Sequence, residues 1–420
     1  MLRHSVLAGR KSAKNIVSAL AMAVALTGAG LAAGAVVSAP ASAQEYSRAF
    51  VDIYTPAADV VNAEGGDVAS VAGQFPAIVA AAQTADEKFA AGNLILIAGN
   101  KAENATWQRQ GLELQLASGK VAPEQVGLFN WFVGSLAFNA QDYAAARAAL
   151  QLAQQNNYAD GDVHGLIAET YYQEGNAAGG LAYIRRVIET TAAAGGDVPQ
   201  QWVLRSLQAA YNSNLLDEAI DASIMLVTYH PTQENWLRAL QVANSLGDFD
   251  PQARLDLMRL MRLTNTLTER SEYIRYIEDA DPRIMSNEVS AVLGEAVAAG
   301  HLAEGDNYTT EIRDVVADRM AGDRAEAPSL VAEARGSANG RDALVAGDVL
   351  YSLNDFAGAE EMYALAVEKG GADTATAQTR LGMAQVRQGK NAAGAATLSQ
   401  VTGPRATVAR LWATYAASQG

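Results

Sequence analysis

The residue types that perform acid–base or metal chemistry are scattered along this chain. After residue 43 the histidines are His164, His230 and His301, and no two of them stand one helical turn apart, as paired zinc ligands on a helix do. The acidic turn Asp160–Asp162 lacks the full ligand series of a calcium loop. A phosphate-binding Gly-x4-Gly-Lys-Ser/Thr loop and a Gly-x-Ser-x-Gly elbow on a strand are also missing. We therefore expect no catalytic residue, no metal site, no cofactor and no enzymatic activity.

The first 43 residues have the features of an export signal. A basic start without acidic residues precedes an apolar stretch over Ile16–Val37, and Ala41–Ala43 supplies a small-x-small cleavage pattern. This pattern predicts cleavage between Ala43 and Gln44 and a periplasmic or secreted protein of the Gram-negative type. The alternative is an uncleaved anchor, because the apolar stretch is long enough to span a bilayer. Membrane contact is expected only through this segment, if it is retained.

The charge balance disfavours anionic partners. Removal of the signal takes away four basic residues and no acidic one, so the net charge moves from −15 to −19. A nucleic-acid-binding protein needs a basic stripe to neutralise phosphates, and none follows residue 44. We therefore expect no nucleic-acid partner. Cysteine is absent, which excludes cysteine nucleophiles and thiolate metal sites.

The hydrophobic pattern after the signal is helical. Amphipathic stretches lie near 47–62, 67–82, 85–99 and 102–118, and Gly, Asn or Asp residues separate them, as expected at helix ends. Strict alternation of apolar and polar residues does not extend beyond a few positions. The pattern predicts an all-α protein.

From about residue 123, small and aromatic residues recur with a period near 34 residues, which is typical of stacked helix pairs. Each unit has a small or apolar residue inside a first helix, an aromatic residue at the end of that helix, and a small residue inside a second helix. In order of units these are Gly134, Phe138 and Ala146, then Ala168, Tyr172 and Gly180, then Leu207, Tyr211 and Ala219. Two later units are anchored by Gly347 and Gly382. A weaker unit has Trp236, Leu240 and Gly247–Phe249 in place, but Gln252 stands where a small residue belongs.

These positions resemble the tetratricopeptide repeat family, in its exported bacterial form. The resemblance implies an all-α fold, an α-solenoid of stacked antiparallel helix hairpins that forms a superhelix. The expected organisation is a signal peptide at 1–43, a helical region at 44–122, repeats at 123–265, divergent helical hairpins at 266–335 with a flexible joint near 322–340, repeats at 336–403, and a capping helix at 404–420.

The resemblance also implies a partner-binding groove lined by first helices. The implied groove positions are Trp131, Phe138, Asn139, Glu169, Tyr172, Gln173, Gln208, Tyr211, Asn212, Gln241 and Asn244. Amide side chains can pair with the backbone of an extended peptide, and aromatic rings can form apolar pockets. The recurring tyrosines, including Tyr351, are also explained as packing residues. The basic residues that bind a terminal carboxylate in some family members have no counterpart here.

The resulting interpretation is a non-enzymatic periplasmic scaffold that binds protein or peptide partners in the cell envelope. One alternative is a carbohydrate- or solute-binding helical protein, which predicts that Trp131→Ala abolishes a thermal shift caused by oligosaccharides. The other alternative is a cell-wall-acting enzyme within 266–335.

Overall fold

The computed structural model describes residues 46–420, and the predicted signal segment with its Ala43–Gln44 cleavage site lies outside this range. The described chain is helical and has no β-strand. None of its helices has the combination of length and apolarity that a bilayer crossing requires. The helices are α1 (Arg48–Asn62), α2 (Val68–Val71), α3 (Phe75–Ala81), α4 (Ala85–Lys101), α5 (Ala105–Ser118), α6 (Pro123–Asn139), α7 (Tyr143–Gln155), α8 (Val163–Gln173), α9 (Ala177–Ala193), α10 (Gln200–Asn212), α11 (Leu216–Tyr229), α12 (Gln233–Leu246), α13 (Pro251–Leu263), α14 (Arg270–Ala280), α15 (Ser286–Ala298), α16 (Asn307–Gly336), α17 (Gly340–Ser352), α18 (Phe356–Lys369), α19 (Thr374–Arg387), α20 (Asn391–Leu398) and α21 (Ala406–Ser418).

The described chain forms two compact units, one ending at Val187 and the other spanning Ile188–Gly420, and the division falls within α9. In both units consecutive helices pack as antiparallel hairpins, so the predicted all-α solenoid of helix hairpins is confirmed. This division lies inside the expected repeat region 123–265, within a continuous helix. A helix that runs through a boundary gives the sequence no turn signal at that point.

Glycines allow a close helix contact in the first unit. A Cβ atom on Gly92 of α4 would lie 2.7 Å from the carbonyl oxygen of Gly111 in α5, and a Cβ on Gly111 would lie 2.6 Å from the backbone nitrogen of Leu96. Real Cβ atoms do not approach backbone atoms so closely. The α4–α5 hairpin therefore depends on glycine at both positions.

Small residues occupy the predicted places in the repeats, which confirms the sequence register. A Cβ atom on Gly180 would lie 2.4 Å from the ring of Tyr172, and one on Gly382 would lie 2.5 Å from Leu398. Ala146 and Ala219 are fully buried. These are the positions at which two helices approach each other within a hairpin.

Many of the acidic residues start helices. The carboxylates of Asp142, Asp162, Asp355 and Asp373 accept hydrogen bonds from backbone N–H groups of the first helical turn, at 2.9–3.3 Å. Such caps satisfy donors that would otherwise have no partner, and a negative charge is favourable at a helix N-terminus. Part of the large negative charge of this chain therefore serves to define helix ends.

The segment expected to be a flexible joint near 322–340 is instead the C-terminal part of α16, which is continuous from Asn307 to Gly336. That expectation was wrong, because the helix continues through Gly322 and past Pro328. Pro328 lies inside the helix and is exposed, so water can reach the carbonyl that loses its donor. Thr309, Val316 and Asp323 are buried at intervals of seven residues, so α16 packs along a narrow stripe.

The last helix closes the second unit. The segment 404–420 was expected to cap the last repeat, and α21 does pack against α20. It also packs against α11 and α13, which precede it by more than a hundred residues. Trp412 is fully buried in this contact, and its indole N–H donates to the carbonyl of Asp256 at 2.7 Å. The second unit is therefore a closed stack of hairpins.

Candidate partner-binding surface

The amide residues of the implied groove lie on the surface of the first helices. Asn139, Gln173 and Asn212 are exposed, and each is the last residue of its helix. Gln173 donates to Glu169 at 2.6 Å, and Gln208 donates to Asn212 at 2.7 Å. In both pairs the two residues are four positions apart in the same helix, so the hydrogen bond keeps the side chains on the helix surface, where they remain accessible to solvent.

The aromatic residues of the set are partly buried, and packing explains several of them. Trp131 stacks on Tyr158 with ring centroids 5.7 Å apart, and a Cβ atom on Gly161 would lie 3.0 Å from the indole ring. Phe138 contacts Tyr143 edge to face at 5.5 Å. These contacts account for the residue types without a ligand, so the aromatic positions give less support to a binding role than the amides do.

Within the second unit, the same register positions differ between the early and late repeats. Gln208, Tyr211, Gln241 and Asn244 on α10 and α12 are partly exposed, and Asn212 on α10 is exposed. The equivalent positions on α17 are Asp348, Tyr351 and Ser352, and all three are buried.

The chain itself occupies those positions of α17. Ser352 Oγ accepts a hydrogen bond from the backbone N–H of Glu288 at 3.0 Å, and the guanidinium of Arg259 lies 4.6 Å from the ring centre of Tyr351. In the late repeats of this unit, other helices of the same chain therefore cover the implied groove positions.

A buried ionic cluster holds these elements together, and we call it the clasp. Its members are Asp256 and Arg259 of α13, Glu288 of α15, Asp348 of α17, Arg380 of α19, and Arg405 of the turn before α21. Asp256 contacts Arg259 at 2.9 Å, Arg380 at 3.2 Å and Arg405 at 2.5 Å. Burial alone would raise the pKa of the Asp256 carboxyl, but Arg380, Arg405 and Arg259 outweigh it and hold that pKa below its usual value.

The remaining carboxylates of the clasp are paired as well. Glu288 accepts from Arg259 at 2.8 and 2.6 Å and from the hydroxyl of Tyr276 at 2.6 Å. Asp348 accepts from Arg380 at 2.6 Å and from the hydroxyl of Tyr363 at 2.8 Å. Three guanidinium groups thus face three carboxylates. Such a balanced set of charges holds the four helices and the turn before α21 together. Each carboxylate is paired with a guanidinium, so none is free to act as an acid or a base.

Gln252, the position at which the fourth repeat departs from the pattern, has a role in this closure. Its amide oxygen accepts from Arg380 at 2.6 Å, and its amide nitrogen donates to the carbonyl of Asp279 at 3.0 Å. A small residue there would leave both groups without these partners. The departure is therefore explained by a contact with a distant part of the chain.

An open cleft of about 380 Å³ lies beside Asn244, where α12 ends and α14 begins. It adjoins a second cleft of about 400 Å³, and both are lined by Ser271 and Arg275. Volumes of about 300–1,000 Å³ are typical of sites for small ligands. The sequence interpretation included Asn244 but not the residues of α14.

Fixed contacts build the walls of this cleft. Gly247 has no side chain, which lets the ring of Phe249 lie over it, since a Cβ there would be 2.2 Å from the ring. Asp250 caps α13 by accepting from Gln252 N at 2.8 Å. Arg254 is held by Asp279 through two hydrogen bonds of 2.7 and 2.8 Å.

The histidines are engaged in packing rather than in a metal site. His164 Nδ1 lies 2.8 Å from the hydroxyl of Tyr183, His230 Nε2 lies 3.0 Å from the carbonyl of Val198, and His301 stacks on Tyr273. Within residues 46–420, no group of three His, Asp or Glu side chains is placed to hold a metal ion.

No family model matches the chain, and no curated protein matches it significantly. Among solved structures, it is similar to a chain in the structure of Naa15/Naa10 bound to HypK-THB, with 12% identity and a TM-score of 0.27. That match covers 85% of this chain and 64% of the other, so it spans less than two thirds of that protein. The stacked helix pairs of this chain fit a helical repeat of the tetratricopeptide type.

Proposed function

We propose that this protein is an exported, non-enzymatic scaffold of the tetratricopeptide type that binds protein or peptide partners. One observation carries the proposal. At α17 of the second unit, Ser352 of the implied groove register accepts a backbone N–H from another helix of the same chain, while the same register on α10 and α12 is partly or fully exposed. A partner that meets Gln241 and Asn244 would find amide groups able to pair with its backbone.

The location in the periplasm is part of the same proposal and rests on the sequence of residues 1–43. The basic start, the apolar stretch and the small residues before Gln44 support export and cleavage. Mass spectrometry of the protein from the envelope fraction tests this point. A mature N-terminus at Gln44 supports it, and an intact Met1 in the cytoplasmic fraction contradicts it.

Site-specific photo-crosslinking in the producing cell tests the binding proposal. A photoreactive amino acid is placed at Asn244, at Gln173 for the first unit, and at Glu311 as a control on the exposed face of α16. We expect a discrete adduct with another protein at Asn244 or Gln173 and none at Glu311. If all three positions give the same adducts, or if neither groove position gives any, the proposal is wrong.

A further inference from the structure

The chain contains a single Asn-Gly pair, Asn339 and Gly340, where the turn after α16 meets the start of α17. Asparagine is a thermolabile residue, because the backbone nitrogen of the next residue can attack its side-chain amide. Glycine favours this attack, since it has no side chain to hinder it. The attack forms a cyclic succinimide and releases ammonia, and water then opens the ring to aspartate or isoaspartate. Among the asparagines of this sequence, Asn339 is therefore the one most prone to deamidation.

The fold explains why both residues of this labile pair are present. A Cβ atom on Gly340 would lie 2.5 Å from the carbonyl oxygen of Ala366 and 2.6 Å from that of Gly370, so a larger residue would displace the backbone. The side-chain oxygen of Asn339 accepts the backbone N–H of Arg341 at 2.9 Å and so caps α17. The side chain of Asn339 is exposed, so water can reach its amide.

Hydrogen bonds hold both reacting groups in the folded protein. Gly340 is buried, and its backbone N–H donates to the carbonyl of Gly370 at 2.8 Å. The attack requires this nitrogen to lose its proton and to approach the side-chain carbon of Asn339. That side chain must at the same time give up its hydrogen bond to Arg341. The start of α17 must therefore open before the succinimide can form.

Lys369, the last residue of α18, holds the same turn from another side. Its ammonium donates to the carbonyl oxygens of Ala334, Arg335 and Ser337 at 2.7, 2.9 and 2.5 Å. Those carbonyls belong to the end of α16 and the turn that follows it. Local opening of this turn, which needs less free energy than unfolding of the whole unit, would release the labile pair.

We propose that Asn339 is a deamidation site whose rate is set by local opening of the turn between α16 and α17. A bond forms between the nitrogen of Gly340 and Cγ of Asn339, the bond from Cγ to the amide nitrogen breaks, and the amide proton of Gly340 leaves with the ammonia. Hydrolysis of the ring consumes one water molecule, and no oxidant or reductant takes part. Isoaspartate adds a carbon atom to the backbone, which shifts Gly340 relative to Gly370. A molecule that has opened and reacted is therefore marked permanently.

Peptide mapping of the purified full-length protein tests this proposal. The protein is incubated in mildly alkaline buffer, either folded or unfolded in urea, and samples taken over time are digested with trypsin. Trypsin cleaves after Arg335 and Arg341, so Asn339 lies in the peptide 336–341. Chromatography separates the asparagine, aspartate and isoaspartate forms of this peptide, and mass spectrometry identifies them.

Three variants are compared with the unmodified protein. Lys369→Met removes the ammonium that holds the turn, and Asn339→Ser keeps a good helix cap without an amide that can react. Lys390→Met is the matched control, because Lys390 is an exposed lysine between α19 and α20 that pairs with Glu360 at 2.5 Å. Circular dichroism establishes that each variant is folded.

We expect Asn339 to react before the other asparagines in urea, and to react at least about tenfold more slowly in the folded protein. Lys369→Met should raise the rate in the folded protein several-fold, whereas Lys390→Met should leave it unchanged. The peptide of Asn339→Ser should show no change of mass.

Three outcomes would overturn the inference. Equal rates in the folded and the unfolded protein would mean that the fold does not control the reaction. A faster reaction at another asparagine in urea would remove Asn339 as the labile site. Equal rates in folded Lys369→Met and Lys390→Met would mean that opening of this turn does not set the rate. If Lys369→Met does not fold, the comparison of folded and unfolded unmodified protein still decides between protection and its absence.

Discussion

Replacement of Asp256 by Asn should destabilise the second unit more than any surface charge change. Asp256 is fully buried and receives three guanidinium groups. Asn has nearly the same shape but no charge. Arg259 keeps Glu288 and Arg380 keeps Asp348, while Arg405 loses the one carboxylate that it contacts in the described chain.

The magnitude follows from Arg405. Removal of one partner from a buried ion pair costs about 3–5 kcal/mol, because the other charge stays buried without compensation. For a unit of this size, each kcal/mol lowers the melting temperature by about 2–4 °C. We therefore expect Asp256→Asn to lower the melting temperature of the second unit by about 6–20 °C.

Differential scanning calorimetry at neutral pH is the assay, because two compact units can unfold in separate transitions. The control is Glu234→Gln, since Glu234 is 70% exposed and pairs with Arg238 within α12. That variant should cost at most about 1 kcal/mol. The double variant Asp256→Asn with Arg405→Met should recover part of the loss, because the buried positive charge is removed. Equal melting temperatures for Asp256→Asn and Glu234→Gln would refute the reasoning.

Acid should open the clasp only at low pH. The pKa of Asp256 lies below its ordinary value of 3.8, because the three arginines outweigh the effect of burial. Its contribution to stability is therefore fully present above that value and is lost as the pH falls through the lower pKa of the folded state. The clasp stays closed at neutral and mildly acidic pH.

Three further predictions concern other parts of the chain. The backbone N–H of Thr84, with those of Ser47 and Gln83, lowers the pKa of the Glu87 carboxyl from 4.5 to about 2. Glu87→Gln should therefore have a lower melting temperature than the unmodified protein at neutral pH. The two melting temperatures should converge as the pH falls from 4.5 towards 2. Gly382→Val should lower the free energy of unfolding by about 1–3 kcal/mol, because the new side chain overpacks against Leu398. Gly294→Ala should raise it by about 0.5–1 kcal/mol, because nothing lies within 4 Å of the new Cβ. The same result for both variants in thermal unfolding would contradict the register. Burial lowers the pKa of His164 below 6.5, so the contribution of its neutral imidazole to the free energy of unfolding should be lost as the pH falls from 6.5 towards the lower pKa of the folded state. His164→Gln should therefore flatten the pH dependence of the melting temperature in this range. An unchanged profile would argue against this assignment.

The repeat register could be predicted from sequence because small residues are required wherever two helices touch. Gly180, Gly382 and Ala146 each stand at a fixed distance from a helix end, and the structure places them all at close contacts. The same register predicted that the amide side chains of the implied groove lie on the surface of the first helices. This information is local, since each hairpin buries its own stripe against its neighbour.

The closure could not be predicted, because it depends on charges that look like surface residues. Asp256 and Arg380 are 124 positions apart, and a lone Asp or Arg in a helix normally indicates an exposed face. Only the fold shows that they neutralise each other in the interior.

Closure by α21 also has a consequence for the order of events during synthesis. Arg405 follows Asp256 by 149 residues, so the ribosome makes the earlier partner long before the later one. At a synthesis rate of about 5–20 residues per second, Asp256 and the apolar faces of α11 and α13 wait for several seconds without their final contacts. During that interval the nascent chain exposes apolar surface. Contacts between residues so far apart in sequence also slow folding. A chaperone that shields α11 and α13 until translation has passed Trp412 would therefore raise the yield of folded protein.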